Sequence, residues 1–398
     1  MNVVAARYIG FCCTLVGVGF ARMAFTPLTA SAIYEGLIPA STTTAVGAIL
    51  MITYALGASF SGGLLRRIGA VKLIKSSLAL ALLCQLLELF APDINLWLFT
   101  RGLYGFAGGC LMVAGPVIAV SVGNPTQLSK TPLWTFVGVG AGAFTAATLL
   151  QLPLNLSIQQ NLLFVIVTAI VVSVWRLFKQ SSEHDVVPPH PKSQPRSYVV
   201  WPVATLLFAY MFDALGYVPA TIYLSDYAAN QLMLGRDVGN TLWQCFGVGA
   251  ILSMPLLAMV NLKRFATPTI ISVYGLKTLA LYLMSVTADF YLLAVSALIT
   301  GAAVPAIVLL TATLLRQWVS ASEFPLLWQK ATAAFAIGQA ISALAMAQVF
   351  LRITDYQPLF LSGALLMAIA TLLALSLASF AMQRRKLHKQ ETSLGESS

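Results

Sequence analysis

The chain has 398 residues, of which 59% are hydrophobic and only 9% charged, with a mean hydropathy of +0.84. This excludes a water-soluble globular domain, in which roughly a quarter of residues carry charge, and leaves an all-α polytopic membrane protein. The net charge of +10 would suggest a nucleic-acid partner in a soluble protein. Here the basic residues fall in short gaps between apolar runs, so the charge is a topology signal and no nucleic acid is implied.

The first apolar run, 8–34, sets the problem for the rest of the chain. It has the ~20 or more residues that one helical crossing needs, yet Arg22 stands in its middle. A guanidinium stays charged, so near the bilayer centre it costs at least ~2.5 kcal/mol unless it meets a wet cavity or an acidic partner. The expectation is a residue on a solute or proton pathway, with a packing arginine that bonds helix ends as the alternative. Ala30-Ser31-Ala32 imitates a signal-peptide cleavage site, but the run is too long for a signal's apolar core and carries a central charge, so it is expected to stay as a span.

Eleven further runs follow, at 41–65, 71–91, 94–122, 132–152, 160–178, 199–225, 238–259, 267–287, 289–315, 327–351 and 357–381. Twelve transmembrane helices are expected. Cys12, Cys13, Cys84, Cys110 and Cys245 lie inside the runs, so no disulfide framework is implied. His184, His190 and His388 lie outside them, so no metal site or histidine-based catalytic cluster forms in the membrane, and no cofactor is expected.

With the N-terminus inside, the basic residues between spans, among them Arg66, Arg67, Lys72, Lys130, Lys192, Arg264 and Arg384, fall almost wholly on the cytoplasmic side. Only Arg236 and Arg352 fall outside, which places both termini inside. The polar stretch rich in Pro and Ser before the seventh run reads as a solvated linker, and its His184, Asp185 and His190 as linker residues. The expected divisions are a six-helix bundle over 1–178, a linker over 179–198, a second six-helix bundle over 199–381 and a basic tail over 382–398.

The two halves echo each other. The first spans share a charge followed by an aromatic-x-Pro ending, Arg22 with Phe25-Thr-Pro27 and Asp213 with Tyr217-Val-Pro219. The third gaps read Leu65-Arg66-Arg67-Ile68 and Leu262-Lys263-Arg264-Phe265, and the fifth spans open Pro132-Leu-Trp134 and Pro325-Leu-Leu-Trp328. Echoes in the same order favour two pseudo-symmetric six-helix bundles.

The run Gly17-x-Gly19-x-x-Arg22-Met23-x-Phe25-x-Pro27-Leu28 resembles that of a bacterial inner-membrane subgroup of the major facilitator superfamily, the YbfB/YjiJ-like proteins. The superfamily's loop motif between spans two and three is matched here by Gly62, Leu64, Arg67 and Gly69, a candidate gating element, with Arg66 at the usual acidic position. That change removes the usual charge relay and leaves a basic anchor to anionic lipid. The span-four pattern Arg-x-x-x-Gly is present as Arg101 and Gly105, and in proton-coupled relatives that arginine is associated with coupling. Span five has Gly138, Gly140 and Gly142 in place of the Gly-Pro pair of drug/proton antiporters. The resemblance implies the major facilitator fold, with spans one, four, seven and ten around a central cavity.

Arg22, Glu88, Arg101, Asp213 and Lys277 are the candidate solute and proton pathway. Glu88 and Arg101 lie near the outer ends of spans three and four and form either a functional pair or a structural salt bridge. Asp213 is the proton-carrier candidate, since its protonation can follow the opening of a cavity. Lys277 either holds an anionic solute or neutralises Asp213. Arg22 and Asp213, at near-equivalent places in the two halves, are expected to be coupled. Phe25, Tyr104, Tyr210 and Tyr217 are candidate cavity aromatics, with Tyr54, Trp134 and Trp243 as further aromatics on offer.

The reading is a monomeric secondary transporter that moves a small organic solute by alternating access, coupled to protons, in the bacterial inner membrane, with export the favoured direction. No nucleotide-binding loop is present to power it with ATP. A membrane-embedded transferase would need a catalytic cluster that no loop assembles, so the protein is not expected to be an enzyme. A non-transporting solute sensor is the third class. The excess of intramembrane cations over acids leans toward an anionic or zwitterionic solute, while the aromatics equally suit a hydrophobic solute that is exported.

Overall fold

The computed structural model describes residues 1–90, 94–119, 131–180, 199–320 and 323–395. Its elements are helices, as a chain that must satisfy its own backbone in hydrocarbon requires. Among the described residues, eleven helices are long and apolar enough to cross a bilayer. The stretch Thr44–Leu89 has 46 residues, about 69 Å of helix against a core of about 30 Å. It breaks at Gly69, where φ 78° and ψ 163° leave the helical region, so it carries two crossings and the total is twelve.

Span one is Val3–Tyr34, spans two and three share Thr44–Leu89, and span four is Ile94–Ala119. Span five, Thr131–Leu150, and span six, Leu156–Gln180, complete the first half. The second half has Val200–Gln231, Arg236–Met259, Leu262–Val286, Phe290–Trp318, Phe324–Ile353 and Gln357–Gly395 as spans seven to twelve. Most of the expected linker, with His184, Asp185 and His190, lies outside the described residues, as do Asp93 and Lys130. The last helix runs on to Gly395, well past the expected end at 381, because the basic stretch contains neither Gly nor Pro before Gly395 and is rich in helix formers.

The echoing prolines have matching structural consequences. Pro27 has no N–H, so the carbonyl of Met23 four residues back loses its helical partner, and Trp243 Nε1 of span eight donates to it at 2.8 Å. Pro219 likewise orphans the carbonyl of Leu215, and Ser342 Oγ of span eleven donates to it at 2.7 Å. Span one is further loosened by a π-helical stretch over Leu15–Met23, and span seven by another over Tyr227–Gln231. Such wide turns recur at functional sites.

Small residues bring the helices close. A Cβ on Gly108 would lie 2.3 Å from the Gly17 carbonyl, joining spans four and one, and one on Gly140 would lie 2.7 Å from the Gly247 carbonyl, joining span five to span eight of the other half. Phe60, Phe99, Val165, Phe208, Leu256 and Leu365 are exposed around the outside, the apolar rim expected of a surface facing lipid.

Candidate functional site

We call the face holding the N-terminus, Arg66 and Arg67 the basic face and the other the far face. Midway between them, where spans one, seven, nine and eleven meet, the structure gathers Arg22, Asp213, Lys277, Tyr217 and Gln339. All five are at most 3% exposed. Lys277 Nζ lies 2.5 Å from Asp213 Oδ1 and 4.2 Å from the centroid of the Tyr217 ring. Of the two roles the sequence allowed Lys277, this arrangement is the ion pair with Asp213.

Arg22 does not touch Asp213. Its Nη1 donates to Gln339 Oε1 at 2.9 Å and its Nη2 to the Tyr217 hydroxyl, which also accepts from Gln339 Nε2. The guanidinium lies over the rings of Tyr54, at 5.5 Å, and Tyr217, at 5.4 Å. Its Nε is buried with no hydrogen-bond partner. Among the described residues, no carboxylate pairs with Arg22, so a buried cation is held only by neutral groups, an arrangement that a bound anion would improve. Tyr217 thus stands between the two charged units, bonded to Arg22 on its hydroxyl edge and facing Lys277 with its ring.

Sequence position explains part of this. Asp213 and Tyr217 lie one turn apart on span seven, so they share a face. Arg22 sits in the π-helical stretch just before the Pro27 break, where the backbone approaches the partner half. Gln339 was missed: a single glutamine inside an apolar run carries no signal of depth or direction. Tyr210 stacks on Phe335 with centroids 4.4 Å apart, forming with Tyr217 and Trp328 an aromatic wall beside the cluster.

Glu88 and Arg101 form a separate unit within the first half. Arg101 Nη2 bonds Glu88 Oε2 at 2.6 Å, Thr100 Oγ1 donates to Glu88 Oε1 at 2.8 Å, and the Arg101 guanidinium lies over the rings of Trp97 and Tyr104. Tyr104 accepts from Gln85 there, and Phe25 packs near Trp97 with ring centroids 6.4 Å apart. Tyr104 therefore belongs to packing inside its own half in this conformation, whereas Phe25 lies in the apolar core shared with Tyr217 and Ile222 of the second half. Trp134 is 59% exposed and faces outward. Arg66 and Arg67 are exposed beside Gly69, while a Cβ on Gly62 would meet the Gln329 side chain of span eleven at 2.4 Å, so the loop motif abuts the second half.

The hydrogen bonds between described residues of the two halves gather at the centre and toward the far face. Thr26 donates to the Thr221 carbonyl, Asn230 to Ala30, Asn240 to Leu150, and Gln151 to Thr241 and Asp237. Arg236 pairs with Glu35 at 2.9 Å on the far rim. This conformation is closed on the far side.

Twelve helices in two six-helix halves around a buried polar centre define the class: a transporter of the major facilitator type. A family model described as the uncharacterised MFS-type transporter YbfB matches residues 14–375, and the chain belongs to that family. The crystal structure of the human organic anion transporter MFSD10 (TETRAN) superposes with a TM-score of 0.69 at 11% identity, over 94% of this chain and 98% of that one, a likeness of fold. No curated protein matches the chain.

Proposed function

We propose that the protein is a proton-coupled secondary transporter of small organic anions, working by alternating access in a bacterial inner membrane with its basic face in the cytoplasm. The observation that carries this is Arg22, a cation at most 3% exposed that, among the described residues, bonds across the halves to the neutral Gln339 and Tyr217. A solute carboxylate would replace those neutral acceptors with a charged one that the planar guanidinium fork can meet with two parallel bonds. The adjacent Asp213–Lys277 pair supplies the coupling: a proton on Asp213 releases the ammonium of Lys277 for the same anion. The positive-inside bias of the loops supports the orientation.

This coupling has a sign. Proton and anion favour each other at the site, so they travel together and an inward proton gradient drives uptake, opposite to the export that the sequence alone favours. Export would require proton and solute to exclude each other, as with a cationic solute held by Asp213. The aromatic wall of Tyr210, Tyr217 and Phe335 makes that the second reading. The test is a panel of mono- and dicarboxylates, followed by lipophilic amines, pulsed onto purified protein in liposomes loaded with a pH dye. Carboxylate-dependent acidification of the lumen supports the proposal. Alkalinisation by amines alone favours export, and no proton movement with any solute removes proton coupling.

A further inference from the structure

One carboxylate of span seven, Asp226, lies outside the central cluster and forms no ion pair with a cation among the described residues. Asp226 ends the helix Val218–Asp226 and is 1% exposed. Its Oδ2 accepts from the Tyr356 hydroxyl and its Oδ1 from Asn230 Nδ2 at 2.5 Å. The same Asn230 nitrogen donates to the Ala30 carbonyl of span one at 3.2 Å. One amide group therefore spends its two hydrogens on acceptors in opposite halves of the protein.

The surroundings hold this geometry. Tyr356 packs with Tyr223, at 5.1 Å, and Phe350, at 4.5 Å, in a three-ring cluster, and its backbone N–H donates to Gln231 Oε1 at 3.0 Å. The titratable groups around Asp226 are Tyr356 from the turn after span eleven and Tyr223 and Tyr227 on its own span. Tyr227 is engaged with Thr287 and Gln357. Asp355 is taken by Gln231 at 2.6 Å. Glu35 and Arg236, from spans one and eight, pair with each other at the rim, Asp237 beside them is exposed, and Arg352 at the end of span eleven is exposed. Among the described residues, no cation forms an ion pair with Asp226.

We infer that Asp226 is a second proton-binding site, and that its ionised form latches the far face shut by orienting Asn230 onto Ala30. A carboxylate offers Asn230 a charged acceptor, which makes a shorter and stronger bond than a neutral one. A proton on Oδ1 turns that acceptor into a donor facing the amide hydrogens and expels Asn230. A proton on Oδ2 is received by the Tyr356 oxygen but leaves Oδ1 a neutral carbonyl. Either way the grip on Asn230 weakens and its bond across to Ala30 loses its orienting partner. This deepens the transport reading: a proton arriving at the far face opens that face, and its departure toward the centre closes it.

The test reads the latch without any solute, so a failure to find flux in liposomes leaves it standing or falling by itself. Spin labels at Leu37→Cys and Leu234→Cys, both exposed on the far rim, in a protein whose five native cysteines are alanine, report the separation of the halves in nanodiscs. In the parent, the longer-distance population should grow about fivefold or more, the low end of coupling between sites, as the pH falls from about 8 to about 5. Asp226→Asn should show a distribution that ignores pH, Asn230→Ala should favour the long distance throughout, and Asp226→Glu should keep the pH response. A parent that does not respond to pH overturns the inference, as does an Asp226→Asn or Asn230→Ala variant that responds as the parent does. Should Asp226→Asn fail to fold, Asn230→Ala and Asp226→Glu decide the matter.

Discussion

Replacing Asp213 by Asn leaves Lys277, fully buried, without the carboxylate 2.5 Å away. Breaking a buried pair on one side costs about 3–5 kcal/mol. The cost has a ceiling, because the stranded ammonium can shed its proton, which for an ordinary lysine at pH 7 takes about 4.6 kcal/mol. Lys277→Met strands the carboxylate instead, with a ceiling of about 4.2 kcal/mol for an ordinary aspartate at pH 7, and also removes the cation from the Tyr217 ring. The double variant strands neither charge. Thermal unfolding of the detergent-purified proteins should therefore show both singles destabilised and the double recovering about 2 kcal/mol or more of the summed loss, within the usual range for contacting residues. The pH dependence has opposite signs. Where the stranded lysine folds without its proton, the unfolded state holds one proton more, so the defect of Asp213→Asn shrinks toward high pH; where the stranded aspartate folds protonated, the unfolded state holds one fewer, so that of Lys277→Met shrinks toward low pH, each by at most about 1.4 kcal/mol per unit. Additive losses, or a common pH slope, would refute the pairing.

Three further outcomes are expected. Reporters fused near Ser193 and at the C-terminus should both lie in the cytoplasm, given the basic bias of that face, and an extracellular signal from either overturns the orientation. Arg22→Gln should raise the KM for a transported carboxylate by about tenfold or more, with Arg22→Lys intermediate because it keeps the charge but not the fork that reaches both Gln339 and Tyr217; an unchanged KM removes Arg22 from the solute site. Glu88→Gln and Arg101→Met should each lower thermal stability, while the double variant should regain both stability and transport, as a salt bridge internal to one half predicts. Loss of transport in a stable double variant would restore a coupling role to that pair.

Much of the architecture was legible because it rests on two strong signals: apolar length and the placement of basic residues. The Pro27 and Pro219 echo was legible too, and its structural meaning, an orphaned carbonyl in each half, follows from proline chemistry. The site was legible only as a set of charges. Sequence symmetry pointed to Arg22 with Asp213, but rotation about the helix axes decides which charge meets which, and it turned Asp213 toward Lys277 and Arg22 toward two neutral groups. Asp226 escaped notice because the apolar run stops at 225, whereas the π-helical turn carries the span on to Gln231 and buries the carboxylate inside it. Gln339 has no periodic or charge signal at all.

In the proposed cycle, Asp213 converts a proton gradient into solute accumulation. The most direct measurement compares the parent and Asp213→Asn in liposomes at matched amounts of folded protein, using a carboxylate identified in the dye assay, with and without an imposed pH gradient. The parent should concentrate the carboxylate against its gradient, and the variant should only equilibrate it, since a permanent amide cannot cycle a proton. Equal gradient-driven accumulation by the two would contradict the account.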